Sequence, residues 1–242
     1  MNNNLIYINK TQFFGIASLL PELIKNKIYL GINKTFCHPK ASGFLKGFRG
    51  KTYLFDLFQV GQSLQNALRV INSTYATHYV FTKLNKLKVK FTKKILFVGF
   101  PGSKRKALKD LYFSKNQFYV SDKDWVNGLL TNNFSLFEYK RNFLKNIELK
   151  SDIEKQLFYQ NFGGILKLST LPDLVVIYNH SQSTLIFSEA ERMNIPVVSF
   201  LNASDNPAEV DYPILGNFNS VKGGNFFYRL IKAILKEANI RF

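Results

Sequence analysis

Residues 172–217 read PDLVVIYNHSQSTLIFSEAERMNIPVVSFLNASDNPAEVDYPILGN. Two short apolar runs, 174–178 and 197–201, lie on either side of a segment with helical periodicity, 183–193. Continuous apolar runs of this length are typical of strands that are buried on both faces of a parallel sheet, and a helix usually connects two such strands. The segment therefore predicts a right-handed βαβ unit.

The rest of the chain shows a similar alternation of short apolar runs and amphipathic segments. We predict further strands at residues 52–57, 94–99 and 117–120. We predict helices at 18–26, 62–76 and 103–113, a short helical turn at 125–130, and a loop rich in Gly and Lys before residue 52. This alternation indicates an α/β fold with a doubly wound, mainly parallel sheet flanked by helices. At 242 residues and 46% hydrophobic content, the chain is expected to form a single domain over residues 1–242.

The positive charge is confined to the first half of the chain. Residues 1–120 contain 20 Lys and Arg but only three acids, Glu22, Asp56 and Asp110, whereas the remainder contains 13 residues of each sign. A net charge of +17 on one half indicates a polyanionic partner, either nucleic acid or an anionic membrane surface. Nucleic acid is favoured, because no run approaches the roughly 20 apolar residues that a spanning helix needs.

A cluster of basic residues lies among aromatic and glycine residues in the Gly- and Lys-rich segment. Small residues let a backbone approach phosphates, and long basic side chains reach them. We predict RNA contact by this cluster, whereas the alternative is a solvated loop whose aromatic residues lie in the core. For the individual Phe residues we expect the core. The basic members are Lys34, Lys40, Lys46, Arg49 and Lys51, and their neighbours are Phe36, Phe44, Phe48, Gly43, Gly47 and Gly50.

A second basic group follows the predicted strand 94–99. The loop Gly99-Phe-Pro-Gly-Ser-Lys-Arg-Lys106 could hold a phosphate at a helix N-terminus, but it has neither Walker nor GxGxxG spacing. We predict that Lys104, Arg105 and Lys106 contact backbone phosphates; the alternative is a solvated first helical turn. A nucleotide-binding or RNA-modifying enzyme that uses residues 99–103 is the rival function.

Catalytic and metal-binding patterns are weak. Asp205, Glu209 and Asp211 follow a predicted strand, where a doubly wound fold places ligands, but loop closure and helix capping explain them better. One cysteine, Cys37, and three histidines do not make a Cys-rich zinc site. We therefore predict no catalytic residues, no metal and no cofactor.

Several segments resemble one protein family in wording and order over about residues 18–236. They are Leu171-Pro-Asp173, Ile195-Pro-Val-Val198, Asp211-Tyr-Pro-Ile214 with Gly216-Asn217, Ile95-Leu-Phe-Val-Gly99, Gln117-Phe-Tyr-Val120, and Trp125 with Gly128, Leu130, Thr131 and Asn132. The family is small-subunit ribosomal protein S-two. The resemblance implies a structural, rRNA-binding component of the small subunit that docks where head and body meet on the solvent side.

The resemblance also implies roles for particular residues. Pro39-Lys40 carries a family turn, with His38 in place of Asn. Trp125 and Asn132 carry the family's Trp turn and join the predicted RNA-binding residues, with Trp125 either a core aromatic or a stacking platform for a base. Asp124 stands where Arg usually precedes that turn, which would reverse the sign of a phosphate contact. Residues 138–162 correspond to a protruding helical hairpin, here shorter than in bacterial members.

These observations imply partners and a location. We expect the partners to be small-subunit rRNA and neighbouring small-subunit ribosomal proteins, with no membrane and no homo-oligomer. Residues 1–24 show no secretory or Arg-rich transit pattern, so the protein is expected to act where it is made. A composition rich in Phe, Asn, Lys and Ile suggests AT-rich codons and a mitochondrial ribosome, with the cytoplasm of a bacterium of reduced genome as the alternative. A free RNA chaperone is a third possible function.

Overall fold

The computed structural model of the chain describes residues 16–84, 93–99, 117–121, 124–178, 184–218 and 220–240. Its helices are α1 (Ile16–Lys25), α2 (Leu57–Leu84), α3 (Asn133–Lys145), α4 (Asp152–Phe162), α5 (Thr184–Arg192) and α6 (Val221–Ile240). Its strands are β1 (Leu30–Asn33), β2 (Leu45–Arg49), β3 (Thr52–Phe55), β4 (Ile95–Val98), β5 (Gln117–Val120), β6 (Leu174–Ile177), β7 (Val197–Leu201) and β8 (Tyr212–Leu215). The predicted helix 103–113 lies outside the described residues.

The larger sheet is parallel and has the strand order β5-β4-β6-β7-β8. The first strand of this sheet along the chain is β4. Strand β5 lies on one side of β4, and β6, β7 and β8 follow on the other side. This reversal of direction defines a doubly wound sheet. Every residue of β4, β6 and β7 is buried, as strands covered on both faces require. The predicted fold class is confirmed.

The βαβ unit of β6, α5 and β7 closely follows the sequence prediction. Helix α5 ends at Arg192, and Asn194 has a positive φ of 52°, as a residue just beyond a helix often does. The N–H of Ile195 then donates to the carbonyl of Ala190 at 2.9 Å, and the chain turns into β7. Tyr178 directly follows β6, and its buried hydroxyl donates to the carbonyl of Phe218. Burial raises the pKa of Tyr178 to about 12.

The Gly- and Lys-rich segment is not a loop, so that prediction is wrong. It forms β1 and β2, which pair with β3 in a separate antiparallel sheet of order β1-β3-β2. The strand predicted at 52–57 is therefore real but belongs to this small sheet. Local glycine content indicates a loop, whereas pairing between β1 and β3 depends on residues about twenty positions apart in the chain.

The N-terminal helices pack against the last helix and β8. Helix α2 contacts α1, α6 and β8. It begins at Leu57, five residues before the predicted start, because the Asp56 carboxylate accepts the N–H of Phe58 at 2.9 Å and caps the helix. Buried side chains from α1 to α6 form one continuous hydrophobic cluster. The extent of the domain, residues 1–242, stays a prediction.

Helices α3 and α4 occupy the place of the predicted hairpin and are only 13 and 11 residues long. The rings of Phe143 and Phe158 stack with centroids 3.9 Å apart and join the two helices. Helix α4 starts with a capping box, in which Ser151 and Glu154 satisfy each other's backbone N–H groups. The excursion is thus a short, packed pair of helices.

In the described part of the chain, no helix has the length and apolar content to cross a bilayer.

Candidate nucleic-acid interface

The first group of predicted RNA-binding residues lies on the hairpin of β2 and β3. Lys46, Arg49 and Lys51 are all exposed on this hairpin. Between residues 23 and 55 the sequence contains seven Lys and Arg and no acid, so no carboxylate within this segment neutralises them. The hairpin therefore presents uncompensated positive charge.

Backbone geometry sets where these cations point. Leu45 pairs with Phe55 and Gly47 with Leu54, so Lys46 is the extra residue of a β-bulge on an edge strand. Bulges bend the strand and redirect the side chain of the extra residue. The turn between Arg49 and Thr52 has two residues, and Gly50 adopts a φ of 61°, as a type II′ hairpin turn requires. This turn carries Lys51 at the tip of the hairpin.

Lys40 lies on a 3-10 segment, Pro39–Phe44, next to the hairpin. The Nδ1 atom of His38 accepts the N–H of Lys40 at 3.2 Å, so the ring caps this segment where the family turn has Asn. The N–H of His38 donates to the carbonyl of Ala203 at 2.8 Å, which anchors the segment beyond the end of β7. Lys40 is exposed, and the backbone of Lys34 lies in the preceding 3-10 turn, Lys34–Phe36.

The aromatic residues of this segment do not behave alike. Phe44 packs against the core, as expected, but Phe36 is 68% and Phe48 61% exposed. The prediction that each Phe lies in the core is therefore wrong for these two residues. Phe48 lies on β2, which is an edge strand of the small sheet.

The second predicted basic group, Lys104, Arg105 and Lys106, lies outside the described residues. Only Gly99 of that loop is described, and its φ of 78° ends β4 in a left-handed turn.

The Trp turn lies after β5 and is held by a buried carboxylate. Glu189 of α5, 7% exposed, accepts the N–H of Gly128 at 2.8 Å and the N–H of Leu130 at 2.9 Å. Its Oε1 atom also accepts a longer hydrogen bond from the indole N–H of Trp125, at 3.4 Å. Trp125 is half-buried, and its contacts with the hydrophobic core fix its position. Asn132 is exposed at the start of α3, and its side chain makes no capping hydrogen bond.

Asp124 does not offer a negative charge to the surface. It is 7% exposed, and its carboxylate accepts the side-chain N–H of Gln160 in α4 at 3.1 Å. The carboxylate is therefore used inside the fold, and its effect on a phosphate contact stays a prediction.

The structure does not bring all the predicted residues into one site. The basic hairpin lies beside β7 and β8, since His38 bonds to Ala203 and the N–H of Asn217 donates to the carbonyl of Ile28. Trp125 and Asn132 follow β5, the opposite edge of the parallel sheet. The Trp turn also bonds to Glu189 of α5, the helix that connects β6 and β7. The predicted residues therefore belong to two separate segments of the fold.

The acids after β7 close loops, as predicted. Asp205 accepts the N–H of Asn202 at 2.7 Å, and Asp211 accepts the N–H of Val197 at 2.8 Å. Glu209 accepts the side-chain N–H of Asn206 at 2.8 Å. The described residues hold no cluster of three His, Cys, Asp or Glu that could bind a metal, and burial raises the pKa of the Cys37 thiol. These carboxylates are therefore committed to internal structure.

Comparison with known proteins identifies the family. The family described as Ribosomal protein S2 matches residues 23–238. The chain belongs to the ribosomal protein S2 family. Small ribosomal subunit protein uS2 from Buchnera aphidicola (subsp. Acyrthosiphon pisum, strain Tuc7) is 25% identical over 90% of this chain and 89% of its own length. The corresponding protein of Colwellia psychrerythraea is 26% identical over 83% of each chain, and that of Brucella ovis is 25% identical over 87% of this chain and 82% of its own. These relatives are ribosomal proteins.

Sequence reasoning missed two buried charges in this S2-family chain. One is Glu189, which lies between Ile186 and Ala190 on the buried face of α5. Its place on the apolar face of the helix could have indicated a buried carboxylate. The other is Lys140 in α3, 3% exposed, whose ammonium donates to the carbonyls of Ile165 at 3.1 Å and Leu168 at 2.9 Å. Burial, and then repulsion by Lys94, lowers the pKa of Lys140.

Proposed function

We propose that this chain is a structural constituent of the small ribosomal subunit and binds rRNA through its basic N-terminal half. Membership of the ribosomal protein S2 family supports the ribosomal assignment. The observation that carries the RNA assignment is the basic hairpin: exposed cations on a segment of 33 residues, 23–55, that contains no acid. A surface of this kind attracts a polyanion.

The hairpin acts by neutralising phosphates and fixing the orientation of an RNA helix. Each Lys or Arg that reaches a phosphate displaces condensed counterions, so log K falls by about 0.7–0.9 per contact for each log unit of salt. Phosphate contacts position the protein and carry no sequence information, so reading of base edges is minor. The proposed contacts on the hairpin side are Lys34, Lys40, Lys46, Arg49 and Lys51.

A second set of contacts belongs to the other edge of the sheet and to the loop after β4. Glu189 holds Trp125 and the following turn in place, so an exposed Asn132 can meet RNA without rearrangement of the fold. Lys104, Arg105 and Lys106 are proposed as further phosphate contacts on the strength of the sequence. Two groups of contacts would hold one RNA helix at two points or two neighbouring helices at one point each.

The proposal includes a location and a set of partners. Neighbouring small-subunit proteins cover part of the neutral C-terminal half, and the chain is neither membrane-bound nor a homo-oligomer. We assign the chain to a mitochondrial ribosome, because its composition is rich in amino acids that AT-rich codons encode. A bacterial cytoplasmic ribosome is the alternative. We propose no catalytic role, because the carboxylates after β7 close loops.

Sedimentation tests the assignment to the ribosome. A lysate that contains ribosomes is separated on sucrose gradients at moderate and high salt, and the chain is quantified in each fraction. We expect stoichiometric presence in the small subunit at moderate salt. Recovery near the top of the gradient would contradict the proposal and favour a free chaperone, and a thermal shift with ATP, GTP or S-adenosylmethionine would favour the enzyme.

Charge reversal tests the hairpin. The triple variant Lys46→Glu, Arg49→Glu, Lys51→Glu should enter small subunits poorly while its thermal unfolding stays unchanged, because all three side chains are exposed. The matched control reverses three exposed cations of the neutral half, Lys145→Glu, Lys167→Glu and Arg192→Glu. Normal incorporation of the hairpin variant, or an equal loss in the control, would refute the assignment of the patch.

A further inference from the structure

Two exposed phenylalanines lie inside the basic segment. Phe36 and Phe48 are 68% and 61% exposed, although the described parallel strands bury nearly all of their side chains. Their surroundings in sequence, residues 23–55, contain seven cations and no acid. Exposed aromatic rings among cations, with no acid in the same segment, are the combination that binds single-stranded nucleic acid.

The fold restrains both positions. Phe48 lies on β2, and its ring meets the ring of Tyr53 on β3 edge to face, with centroids 6.5 Å apart and planes at 86°. Phe36 ends a 3-10 turn and is followed by His38, which is anchored to Ala203. Phe48 is therefore held by a paired strand and Phe36 by a turn next to an anchored residue, so both rings need little ordering when a ligand binds.

An open depression of about 310 Å³ lies between the 3-10 segment Pro39–Phe44 and strand β2. Cys37 and Gly47, the neighbours of Phe36 and Phe48 in the chain, both line it. Lys46, the bulged residue, and Tyr53 line it as well. A methyl group added at Gly47 would meet no atom within 4 Å, so the backbone there is open to a ligand. A flat ring could enter this depression with a cation beside it.

Protection of the sheet edge does not explain this surface. Natural edge strands avoid unwanted pairing with Lys and with bulges, and β2 has both. An exposed Phe on the same edge works against that purpose, because an apolar edge promotes association. The ring of Phe48 therefore requires a second explanation.

We propose that Phe36 and Phe48 are stacking platforms for unpaired bases of rRNA, with Lys46, Arg49 and Lys51 holding the phosphates of the same strand. The inference rests on the proposed function and specifies the kind of RNA. Single-stranded RNA is recognised by aromatic rings that stack on splayed bases within a positively charged groove, whereas a duplex keeps its bases inside and meets only cations. The charge favours RNA over a protein partner.

Binding assays with matched RNAs test the inference. Fluorescence anisotropy measures the affinity of the full chain for an unstructured RNA of about 12 nucleotides, within the usual site size, and for the same RNA in a duplex, over a series of KCl concentrations. The variants are Phe36→Leu and Phe48→Leu, with Phe48→Tyr as the variant that retains a ring. Phe134→Leu is the control, since Phe134 is 73% exposed on α3 in the neutral half.

We expect each Phe-to-Leu variant to bind the single strand about 5- to 150-fold more weakly, which corresponds to the range for loss of one stacked base. The slope of log K against log salt should stay unchanged, because no charge is removed. Affinity for the duplex should not change, Phe48→Tyr should bind like the native chain, and Phe134→Leu should have no effect. Phe36→Leu alters a turn outside the sheet and gives an independent test if Phe48→Leu unfolds.

Three outcomes would overturn the inference, and they are distinguishable. If both Phe-to-Leu variants bind the single strand normally while Lys46→Gln lowers the salt slope, stacking is wrong and the charge-based function stands. If the native chain binds neither RNA, the proposed function fails and the inference with it. If the variants bind RNA normally but leave the small subunit on gradients, the two rings contact a protein.

Discussion

The basic hairpin and the helical pair α3–α4 use charged residues in opposite ways. On the hairpin, Lys46, Arg49 and Lys51 are exposed, and their segment contains no acid. Around the helical pair, Lys140 is buried and bonds to backbone carbonyls, and Asp124 is buried and bonds to Gln160. The first region offers its charges to a partner, whereas the second uses them to hold its own backbone.

The difference shows that residue type does not determine the role of a charge. A buried charge must be satisfied by internal hydrogen bonds, because the cost of leaving it unpaired is several kcal/mol. An exposed charge contributes little to stability and is available to a ligand. Substitutions of the two kinds should therefore affect different measurements, and the following predictions test that separation.

The largest loss of stability is expected from Glu189→Ala. Two backbone N–H groups, of Gly128 and Leu130, and the indole N–H of Trp125 lose their acceptor, at a cost of roughly 3–5 kcal/mol in the free energy of unfolding. Urea denaturation measures it, with Glu191→Ala, exposed on the same helix, as the control. Equal, small effects of the two variants would contradict the buried role of Glu189.

Gly164→Ala should cost about 3 kcal/mol, near the upper end for overpacking. A methyl group at Gly164 would overlap the carbonyl oxygen of Tyr119 in β5, which is backbone and has little freedom to move. Gly163→Ala is a matched control, because a methyl group there meets nothing within 4 Å. Thermal unfolding of both variants compares them. If Gly163→Ala destabilises as much, the close approach to β5 is not the cause.

Lys140→Ala should cost about 2 kcal/mol, less than Glu189→Ala, because only part of its bonding is lost. The carbonyl of Leu168 loses the ammonium, but that of Ile165 still accepts the N–H of Leu168 at 3.0 Å. Lys145→Ala, on the exposed side of the same helix, should lie within about 0.5 kcal/mol of the native chain. Comparable losses for the two lysines in urea titrations would remove the distinction between them.

The pH dependence of stability should carry a smaller signature of Lys140. Its pKa is lowered in the fold by burial and by repulsion from Lys94. Between this lowered pKa and the ordinary value, the unfolded chain binds the proton and the folded chain does not, so stability rises with pH. The free energy of unfolding of the native chain, minus that of Lys140→Met, should increase as pH is raised towards about 10. A difference independent of pH would show that burial does not lower this pKa.

The smallest effect on stability is expected at Lys46. Lys46→Ala should change the free energy of unfolding by no more than about 0.5 kcal/mol, because the side chain is exposed. The same variant should lower the slope of log K against log salt for RNA binding by about 0.7–0.9. Isothermal denaturation and a salt titration on one protein sample measure both. An unchanged slope would remove Lys46 from the interface.

Most of the parallel sheet could be predicted from sequence. Strands β4, β6 and β7 coincide with short, mainly apolar runs, since a strand buried on both faces is mostly apolar. The edge strand β5 also lies where it was predicted. The hairpin was missed because its glycines and lysines resemble a loop. Its pairing depends on the turn at Gly50, whose positive φ brings Arg49 opposite Thr52.

The sequence predicted which residues belong to the candidate site, but it did not predict their positions relative to one another in the fold. Charge asymmetry identified Lys40, Lys46, Arg49 and Lys51, because an excess of one sign can be counted along the chain. The exposure of Phe36 and Phe48 cannot be counted along the chain, since it depends on how the 3-10 turn Lys34–Phe36 and strand β2 pack in the folded protein. The distance between the hairpin and Trp125 depends on the strand order.

The sequence by itself determined the fold class, the family and the uneven distribution of charge. Apolar periodicity, sequence motifs and net charge depend only on the order of residues along the chain. Tertiary structure alone decided which charges face water. It buried Glu189, Lys140 and Asp124 and left the hairpin cations exposed. The physical reason is that burial and hydrogen bonding are set by contacts between distant segments, such as α5 with the turn after β5.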